Sequence, residues 1–195
     1  MERCAIIIHS VSGNCYIIAT YLQELLKNKN VDARLYRVED TDLHILANTF
    51  DEVNDFYEEI QALPVASSST LQKSKMIILG SPTLFGNVSA EMKAFMDSTY
   101  PLSEDSSLSG KYFACFTSCN HSSSEGAFCL DSMVRYAQGL GLVHVPLGFK
   151  KELAVLNQPV NGIVHLAGKD NTIRPSTQLG DALEAYAQVL ASYLN

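Results

Sequence analysis

The sequence predicts an α/β fold in which a parallel sheet is covered by helices on both faces. Strand-like and helix-like segments alternate along its 195 residues. Several of the strand-like runs are almost continuously apolar, which is typical of strands buried on both faces. Between these runs, apolar residues recur at the helical period with polar residues opposite. Five strands alternating with five helices therefore indicate parallel strands joined by helical crossovers.

The predicted strands are short runs rich in apolar residues. They cover residues 4–9, 31–38, 76–80, 112–117 and 142–146. The clearest predicted helix covers residues 17–26, where Ile18, Leu22 and Leu25 lie on one face. The other helices are predicted at residues 53–63, 90–98, 125–138 and 176–194. Three serine-rich stretches are interpreted as short loops, at residues 66–69, 103–109 and 122–124. A longer excursion before the last helix covers residues 148–172.

Composition and charge limit the classes of protein. Hydrophobic residues make up 47% of the chain and charged residues 18%, so residues 1–195 are expected to form a single domain with one substantial core. The apolar runs are too short to span a membrane, and residues 1–4 lack the layout of a secretory signal, so a soluble cytoplasmic protein is expected. The odd number of cysteines, five, implies no disulfide framework. A net charge of −7 disfavours sequence-independent nucleic-acid binding.

Three loops are the candidate ligand site. In an open parallel sheet, ligands bind at the carboxyl ends of the strands, where neighbouring connections leave toward opposite faces. The loops that follow the first, third and fourth predicted strands have unusual compositions and cover residues 9–15, 81–87 and 117–125. We therefore expect the functional residues in these loops.

The first loop has the composition of an anion-binding turn. It carries the hydroxyls of Ser10 and Ser12, then Gly13, Asn14 and the start of a helix. A helix start offers unpaired N–H donors and partial positive charge, so a phosphate can be held although no Lys or Arg occurs between residues 4 and 26. A single glycine does not match a dinucleotide loop, and the Gly-Lys-Ser/Thr ending of a nucleoside-triphosphate loop is missing. The alternative is an ordinary strand-to-helix turn in which Ser12 caps the helix.

The second loop places rigid and flexible backbone beside an aromatic ring. In the stretch 79-LGSPTLFGNVSAEMKAFMD-97, the residues Pro82, Phe85 and Gly86 follow a buried strand, and a helix begins directly after them. We expect a flat apolar ring system to rest against this loop.

The same stretch resembles a known family. Residues 80–97 look like the flavin-binding loop of the flavodoxin-like NAD(P)H:quinone oxidoreductases of the WrbA type, or NADPH-dependent FMN reductase-like family. Residues 10–15 are similar to the flavodoxin phosphate loop, residues 110–125 to the third flavin loop with its preceding strand, and residues 141–148 to the fifth strand. The resemblance covers most of the chain, up to Arg174-Pro175-Ser176 before the last helix.

The resemblance implies a flavodoxin-like three-layer α/β/α sandwich with a five-stranded parallel sheet of order 2-1-3-4-5, and FMN as the cofactor. The phosphate is then expected on the first loop, at Ser10, Ser12, Gly13, Asn14 and Cys15. The isoalloxazine ring is expected between the other two loops, at Pro82, Thr83, Leu84, Phe85, Gly86 and Asn87 on one side and Ser118, Cys119, Asn120, His121 and Ser122 on the other.

The resemblance also implies the chemistry. The flavin of this family accepts a hydride from NAD(P)H and passes two electrons to a quinone, so the chain is expected to be an oxidoreductase that forms a homodimer or homotetramer. No catalytic side chain is assigned, and no spacing of ligating residues suggests a metal site. Cys15 and Cys119 are interpreted as small buried side chains near the cofactor.

Two other functions remain open at the level of sequence. A flavodoxin-type carrier would bind FMN and pass electrons only to protein partners, which suits the Ser12-Gly13-Asn14 turn and the acidic charge. A flavin-free binding module of the same fold is suggested by the third loop. There the segment 119-CNHSSS-124 places side chains where the family has mostly glycine.

Overall fold

The computed structural model describes residues 3–49, 53, 55–148 and 158–195. Helices and strands alternate along the chain, as the apolar periodicity predicts. In chain order the elements are β1 (Cys4–Ile8), α1 (Asn14–Asn28), β2 (Ala33–Arg37), α2 (Leu43–Ala47), α3 (Tyr57–Gln61), α4 (Ser68–Lys73), β3 (Met76–Leu84), β4 (Asn87–Val88), α5 (Ala90–Ser98), a 3₁₀ helix (Tyr100–Ser103), β5 (Tyr112–Cys119), α6 (Ser123–Gly139), β6 (Val143–His144), β7 (Ile163–Leu166) and α7 (Thr177–Ser192).

The main path of the sheet is parallel and has the strand order β2-β1-β3-β5-β6. The strands β5 and β6 coincide with the fourth and fifth predicted strands, so this order is the expected 2-1-3-4-5. The strand β1 lies between β2 and β3, and all of its residues are buried. The strand order reverses between β1 and β3, which is where open α/β sheets bind their ligands.

The two faces of β1 belong to two different cores. Ile6 and Ile8 pack in the core that is covered by α1 and α7. Ala5 and Ile7 pack in the core that is covered by α5 and α6. Because side chains alternate across a strand, a continuously apolar strand must be covered on both faces. The result is a sheet between two layers of helices.

Two short strands share the fifth position of the sheet. The strand β6 pairs with Tyr112 and Phe113 at the start of β5, whereas β7 pairs with residues 116–119 at its end. No strand is predicted in the excursion at residues 148–172, because a four-residue run gives too little periodicity to recognise. Residues 149–157, which connect β6 and β7 in part, lie outside the described residues. The pairing with β7 keeps the end of β5 covered beside the third loop.

Three predicted segments differ from the structure. The stretch 122–124 is predicted as a loop, and this prediction is wrong for its last two residues, because α6 begins at Ser123. The stretch 66–69 is predicted as a loop, and this prediction is wrong for its second half, because α4 begins at Ser68. Ser67 N–H donates to Thr70 Oγ1 at 3.1 Å, which is one half of a capping box. Threonine takes the place that Glu or Gln usually holds there, so the pattern is easily missed. The predicted helix at residues 53–63 is observed in part as α3, and residue 54 lies outside the described part of the chain.

Tyr186 joins α7 to the fifth position of the sheet. Its buried hydroxyl donates to the carbonyl of Val145 at 2.7 Å. We predict that Tyr186→Phe lowers the free energy of unfolding by about 1–3 kcal/mol, because the buried carbonyl loses its partner. Urea denaturation measures the change, and Tyr100→Phe at an exposed position is the control that leaves stability unaltered. Equal effects of the two substitutions would contradict the prediction.

Candidate functional site

A cavity of about 490 Å³ lies at the carboxyl ends of β1, β3 and β5. Residues from all three of the loops that the sequence singles out form its wall. The predicted site residues found there are Ser10, Ser12, Asn14, Cys15, Pro82, Thr83, Leu84, Ser118 and Asn120. The volume falls within the range of pockets that hold small ligands and cofactors, about 300–1,000 Å³.

The remaining predicted residues belong to the same loops without forming the wall. They are Gly13, Phe85, Gly86, Asn87, Cys119, His121 and Ser122. Gly13, Phe85 and Gly86 shape turns of the backbone through their positive φ angles. The Cys119 side chain is buried in the core, and the His121 side chain is exposed.

Gly13 makes the turn between β1 and α1. Its φ angle is +90°, and a Cβ atom at this position would lie 2.2 Å from the Phe56 ring. Both the left-handed backbone and the close ring require glycine. Gly13 is the N-cap residue of α1 and has no side chain, so the alternative with Ser12 as a helix cap is not found. Serine hydroxyls do cap α5, α6 and α7.

The first turn of α1 keeps its hydrogen-bond donors available. Among the described residues, the backbone N–H groups of Ser12, Gly13, Asn14 and Cys15 donate to no acceptor. The Ser10 hydroxyl accepts from the N–H of residue 16 at 3.2 Å, which leaves its own proton free to donate. A helix start with free N–H groups carries partial positive charge and binds anions.

A cation reaches this loop from the far end of the chain. Arg174 Nη1 donates to the carbonyl of Ser12 and, at 3.3 Å, to Asn14 Oδ1. Its guanidinium lies 5.2 Å from the centroid of the Phe56 ring, and its Nη2 is 3.2 Å from Asp55 Oδ2. The charge pattern around the loop gives no sign of this contact, because the two partners are 162 residues apart. The only sequence signal is the family-like segment in which Arg174 lies.

The second loop is a tight hairpin between β3 and β4. Leu84 pairs with Asn87, and the two residues between them, Phe85 and Gly86, have φ angles of 52° and 72°. Two positive φ angles are the mark of a type I′ turn, which favours Asn-Gly. A bulky residue in this conformation costs about 1–3 kcal/mol, and such strain is concentrated at functional sites. The Phe85 side chain is fully exposed at the hairpin tip.

Hydrogen bonds hold the second loop against the third. The hydroxyl oxygens of Thr83 and Thr117 are 2.6 Å apart, and the Thr117 hydroxyl donates to the carbonyl of Ser81 at 2.7 Å. Asn87 Oδ1 accepts from the Ser132 hydroxyl at 2.8 Å, which ties the hairpin to α6. These bonds fix the two loops relative to each other.

Most side chains of the third loop point away from the cavity. Cys119 is buried in the core, the Ser122 hydroxyl caps α6, and His121 is exposed. Ser118 and Asn120 are the members of this loop that line the cavity. The side-chain crowding that the sequence suggests for this loop therefore does not fill the cavity.

The cysteines beside the cavity keep their protons. Desolvation by burial raises the pKa of the Cys15 thiol and raises the pKa of Cys119 to about 11. A thiol that stays protonated near neutral pH is a poor nucleophile and a poor metal ligand. This agrees with the interpretation of both cysteines as small buried side chains.

A buried histidine and two carboxylates form an acidic side of the cavity wall. His9 Nε2 lies 2.9 Å from Asp40 Oδ2, and His9 Nδ1 lies 3.6 Å from Glu91 Oε2. The hydrogen bond with His9 is the main cause that lowers the pKa of Asp40. These residues follow β1, follow β2 and begin α5, so no spacing in the sequence reveals the cluster.

The strand order and the loop at the start of α1 define a flavodoxin-like protein. The family model for NADPH-dependent FMN reductase matches residues 3–150, and the chain belongs to this family. It is 32% identical to an NAD(P)H dehydrogenase (quinone) of Archaeoglobus fulgidus over an aligned region of 152 residues. This region covers 75% of this chain and 78% of the relative. It is 30% identical to Protoplast secreted protein 2 of Saccharomyces cerevisiae over an aligned region of 191 residues. This region covers 90% of this chain and 89% of the relative.

Solved structures share the fold at low sequence identity. A WrbA-like flavodoxin protein of Agrobacterium tumefaciens has a TM-score of 0.69 at 17% identity and covers 100% of both chains. Oxidised flavodoxin 1 of Bacillus cereus has a TM-score of 0.65 at 16% identity and covers 99% of both chains. The predicted family, the flavodoxin-like fold, the oxidoreductase class and FMN as the cofactor are confirmed.

The left-handed backbone at Phe85 gives a stability prediction. We expect Phe85→Asn to raise the free energy of unfolding by about 1 kcal/mol, because Asn tolerates this conformation and the exposed ring contributes little packing. Urea denaturation of the cofactor-free protein measures the difference. The control is Phe128→Asn, which removes another exposed ring from a helix and is not expected to stabilise. A destabilised Phe85→Asn protein would show that the ring holds the hairpin together.

Proposed function

We propose that this chain passes electrons from NAD(P)H to a quinone by way of FMN held in the cavity at the carboxyl ends of β1, β3 and β5. One observation carries the proposal: the start of α1, where the N–H groups of residues 12–15 have no acceptor among the described residues, opens onto a cavity whose other walls come from the second and third loops. Family membership supports FMN and NAD(P)H. The quinone is supported by relatives named NAD(P)H dehydrogenase (quinone) in three organisms.

The residues of the first loop fit a phosphate ester. The N–H groups of residues 12–15 and the Ser10 hydroxyl offer donors, and the Arg174 guanidinium, which also pairs with Asp55, lies beside them. Hydrogen bonds to a charged group contribute about 1.5–3 kcal/mol each, so a few of them offset the repulsion expected from a protein of net charge −7. The turn at Gly13 leaves the backbone bare where an anion must come close.

The second and third loops fit a flat ring. Pro82 and Leu84 form a rigid wall on one side, and Ser118 and Asn120 face the cavity from the neighbouring strand end. When FMN is bound, it supplies hydride acceptance and two-electron transfer. The role of these residues is to hold the ring in place and to exclude water from it. The hydrogen-bonded contact between the two loops makes this wall rigid before any ligand arrives.

The hairpin tip fits a second ring. Leu84 and Phe85 are exposed, and Phe128 on α6 is exposed close to Gly86. Exposed apolar side chains grouped beside a cavity are typical of a binding surface. We assign this rim to the quinone, whose ring can rest on apolar side chains while it receives electrons.

Assembly and location stay predictions. A homodimer or homotetramer is expected from the resemblance to the WrbA-type family. A cytoplasmic location is expected from the sequence. No helix in the part of the chain that the structure describes is long and apolar enough to cross a bilayer.

Flavin content and turnover test the proposed function. The protein is purified and its flavin absorbance is recorded, and then FMN, NAD(P)H and benzoquinone are added while nicotinamide oxidation is followed. The proposal expects bound FMN and oxidation that depends on the quinone. Bound flavin without such turnover would identify an electron carrier. Failure to bind FMN even in excess would identify a flavin-free module.

Gly13→Asp tests the placement of the phosphate. We expect the variant to lose at least about 100-fold in FMN affinity, because a carboxylate beside the phosphate adds repulsion to the loss of two or more hydrogen bonds. The matched control is Gly13→Asn, which places the same Cβ against the Phe56 ring and has the same size as Asp but carries no charge. Equilibrium dialysis with FMN measures both, and circular dichroism checks folding. The difference between the two variants isolates the charge, and a Gly13→Asp protein that keeps the FMN affinity of the parent chain would place the phosphate elsewhere.

A further inference from the structure

His9 lies between two carboxylates at the wall of the cavity. It is 5% exposed and comes directly after β1, where its side chain follows Ile7 on the α5 face of the sheet. Asp40 approaches one ring nitrogen and Glu91 the other. The ligand atoms of the three side chains all lie within 4.8 Å of one another.

The contact with Asp40 decides which nitrogen of the His9 imidazole carries a proton. Asp40 Oδ1 accepts from the backbone N–H groups of Asp42 and Leu43, both at 2.9 Å, and Asp40 Oδ2 is 2.9 Å from His9 Nε2. A carboxylate with several donors is ionised and can only accept, so His9 Nε2 carries the hydrogen. With the hydrogen on Nε2, Nδ1 is the ring nitrogen whose lone pair can bind a metal ion.

His9 Nδ1 faces Glu91 without a hydrogen bond. The nitrogen is buried and has no hydrogen-bond partner among the described residues. Glu91 Oε2 is 3.6 Å away, which is too long for a charge-assisted N–H···O bond of about 2.7–2.9 Å. Two acceptor atoms therefore point at each other across a gap. A cation between them removes this repulsion.

We propose that His9 Nδ1 and the Glu91 carboxylate bind a divalent cation of the zinc class. Zinc lies about 2.0–2.2 Å from nitrogen and carboxylate ligands in tetrahedral geometry, which places two ligand atoms roughly 3.4 Å apart. The observed 3.6 Å needs almost no rearrangement. Asp40 acts as a positioning residue, because a carboxylate that accepts the second ring N–H orients a metal-binding histidine.

The remaining coordination positions open toward the cavity. His9, Asp40 and Glu91 all line the same cavity, so water or a small oxygen-bearing ligand can complete the coordination. A site with one imidazole and one carboxylate suits Zn²⁺ or Co²⁺ better than Mg²⁺ or Ca²⁺, which prefer oxygen ligands. Burial raises the pKa of Cys15 on the same wall, so its thiol does not compete near neutral pH.

Metal titration of the purified, EDTA-treated full chain tests the proposal. Calorimetry with ZnCl₂ is expected to give one ion per chain, and CoCl₂ is expected to give a tetrahedral absorption spectrum without a thiolate charge-transfer band. The titration is run with and without added FMN. Because the readout is metal affinity, its outcome does not depend on quinone turnover.

Variants locate the ion. Glu91→Gln and His9→Gln should each lower zinc affinity at least about tenfold, and Asp40→Asn should lower it about 10–100-fold. The matched control is Glu125→Gln, because Glu125 lies 3.7 Å from the exposed His121 in a similar pair on the surface. This control should leave zinc affinity unaltered, and the melting temperature of each variant without zinc checks that it is folded. A zinc-dependent rise in melting temperature is expected in the parent protein.

Three results would overturn the proposal. The first is no zinc binding at micromolar concentrations, with or without FMN. Nitrogen-15 spectra that show both ring nitrogens of His9 protonated would give the reason, since a proton would then fill the gap. The second is a thiolate band with cobalt, which would place the ion at cysteines. The third is zinc affinity that is equal in Glu91→Gln, Glu125→Gln and the parent chain.

Discussion

The left-handed turn at Gly13 is the constraint on which the site depends. It leads the chain from buried β1 directly into α1, so the N–H groups of the first helical turn lie beside the cavity. Because Gly13 has no Cβ, the Phe56 ring packs on the turn and the Arg174 guanidinium lies over that ring. A single position without a side chain thus lets a helix start, an aromatic ring and a cation meet at one point.

The parts of the fold that the sequence predicts are those with strong local patterns. The strands β1, β3 and β5 contain continuous apolar runs, and α1 and α7 repeat apolar residues over several turns. The local sequence is therefore enough to predict these elements. The strand β7 and the helix α4 are not predicted, because segments of four and six residues show little periodicity. Their formation depends on partners far away, on β5 for one and on the Ser67–Thr70 hydrogen bond for the other.

The same division applies to the site. A parallel sheet brings the loops at the carboxyl ends of neighbouring strands together, independently of their side chains. Nine of the predicted residues accordingly line one cavity. The direction of each side chain was harder to foresee. In the third loop, Ser118 faces the cavity while Cys119 enters the core, as strand alternation requires, but Ser122 is used to cap α6. Arg174 and Glu91 contact the site across long sequence separations, so no local pattern could assign them.

The cavity has sides of opposite charge, and this polarity orients a ligand more strongly than the net charge does. The free N–H groups at the start of α1 make one side positive, whereas Asp40, Asp42 and Glu91 make another side negative. A phosphate ester is attracted by the first and repelled by the second, so a molecule with one charged end and one flat apolar end can enter in only one direction. The net charge of −7 slows the approach of every anion equally and cannot select between these directions. Orientation is therefore decided by a few groups around one helix start.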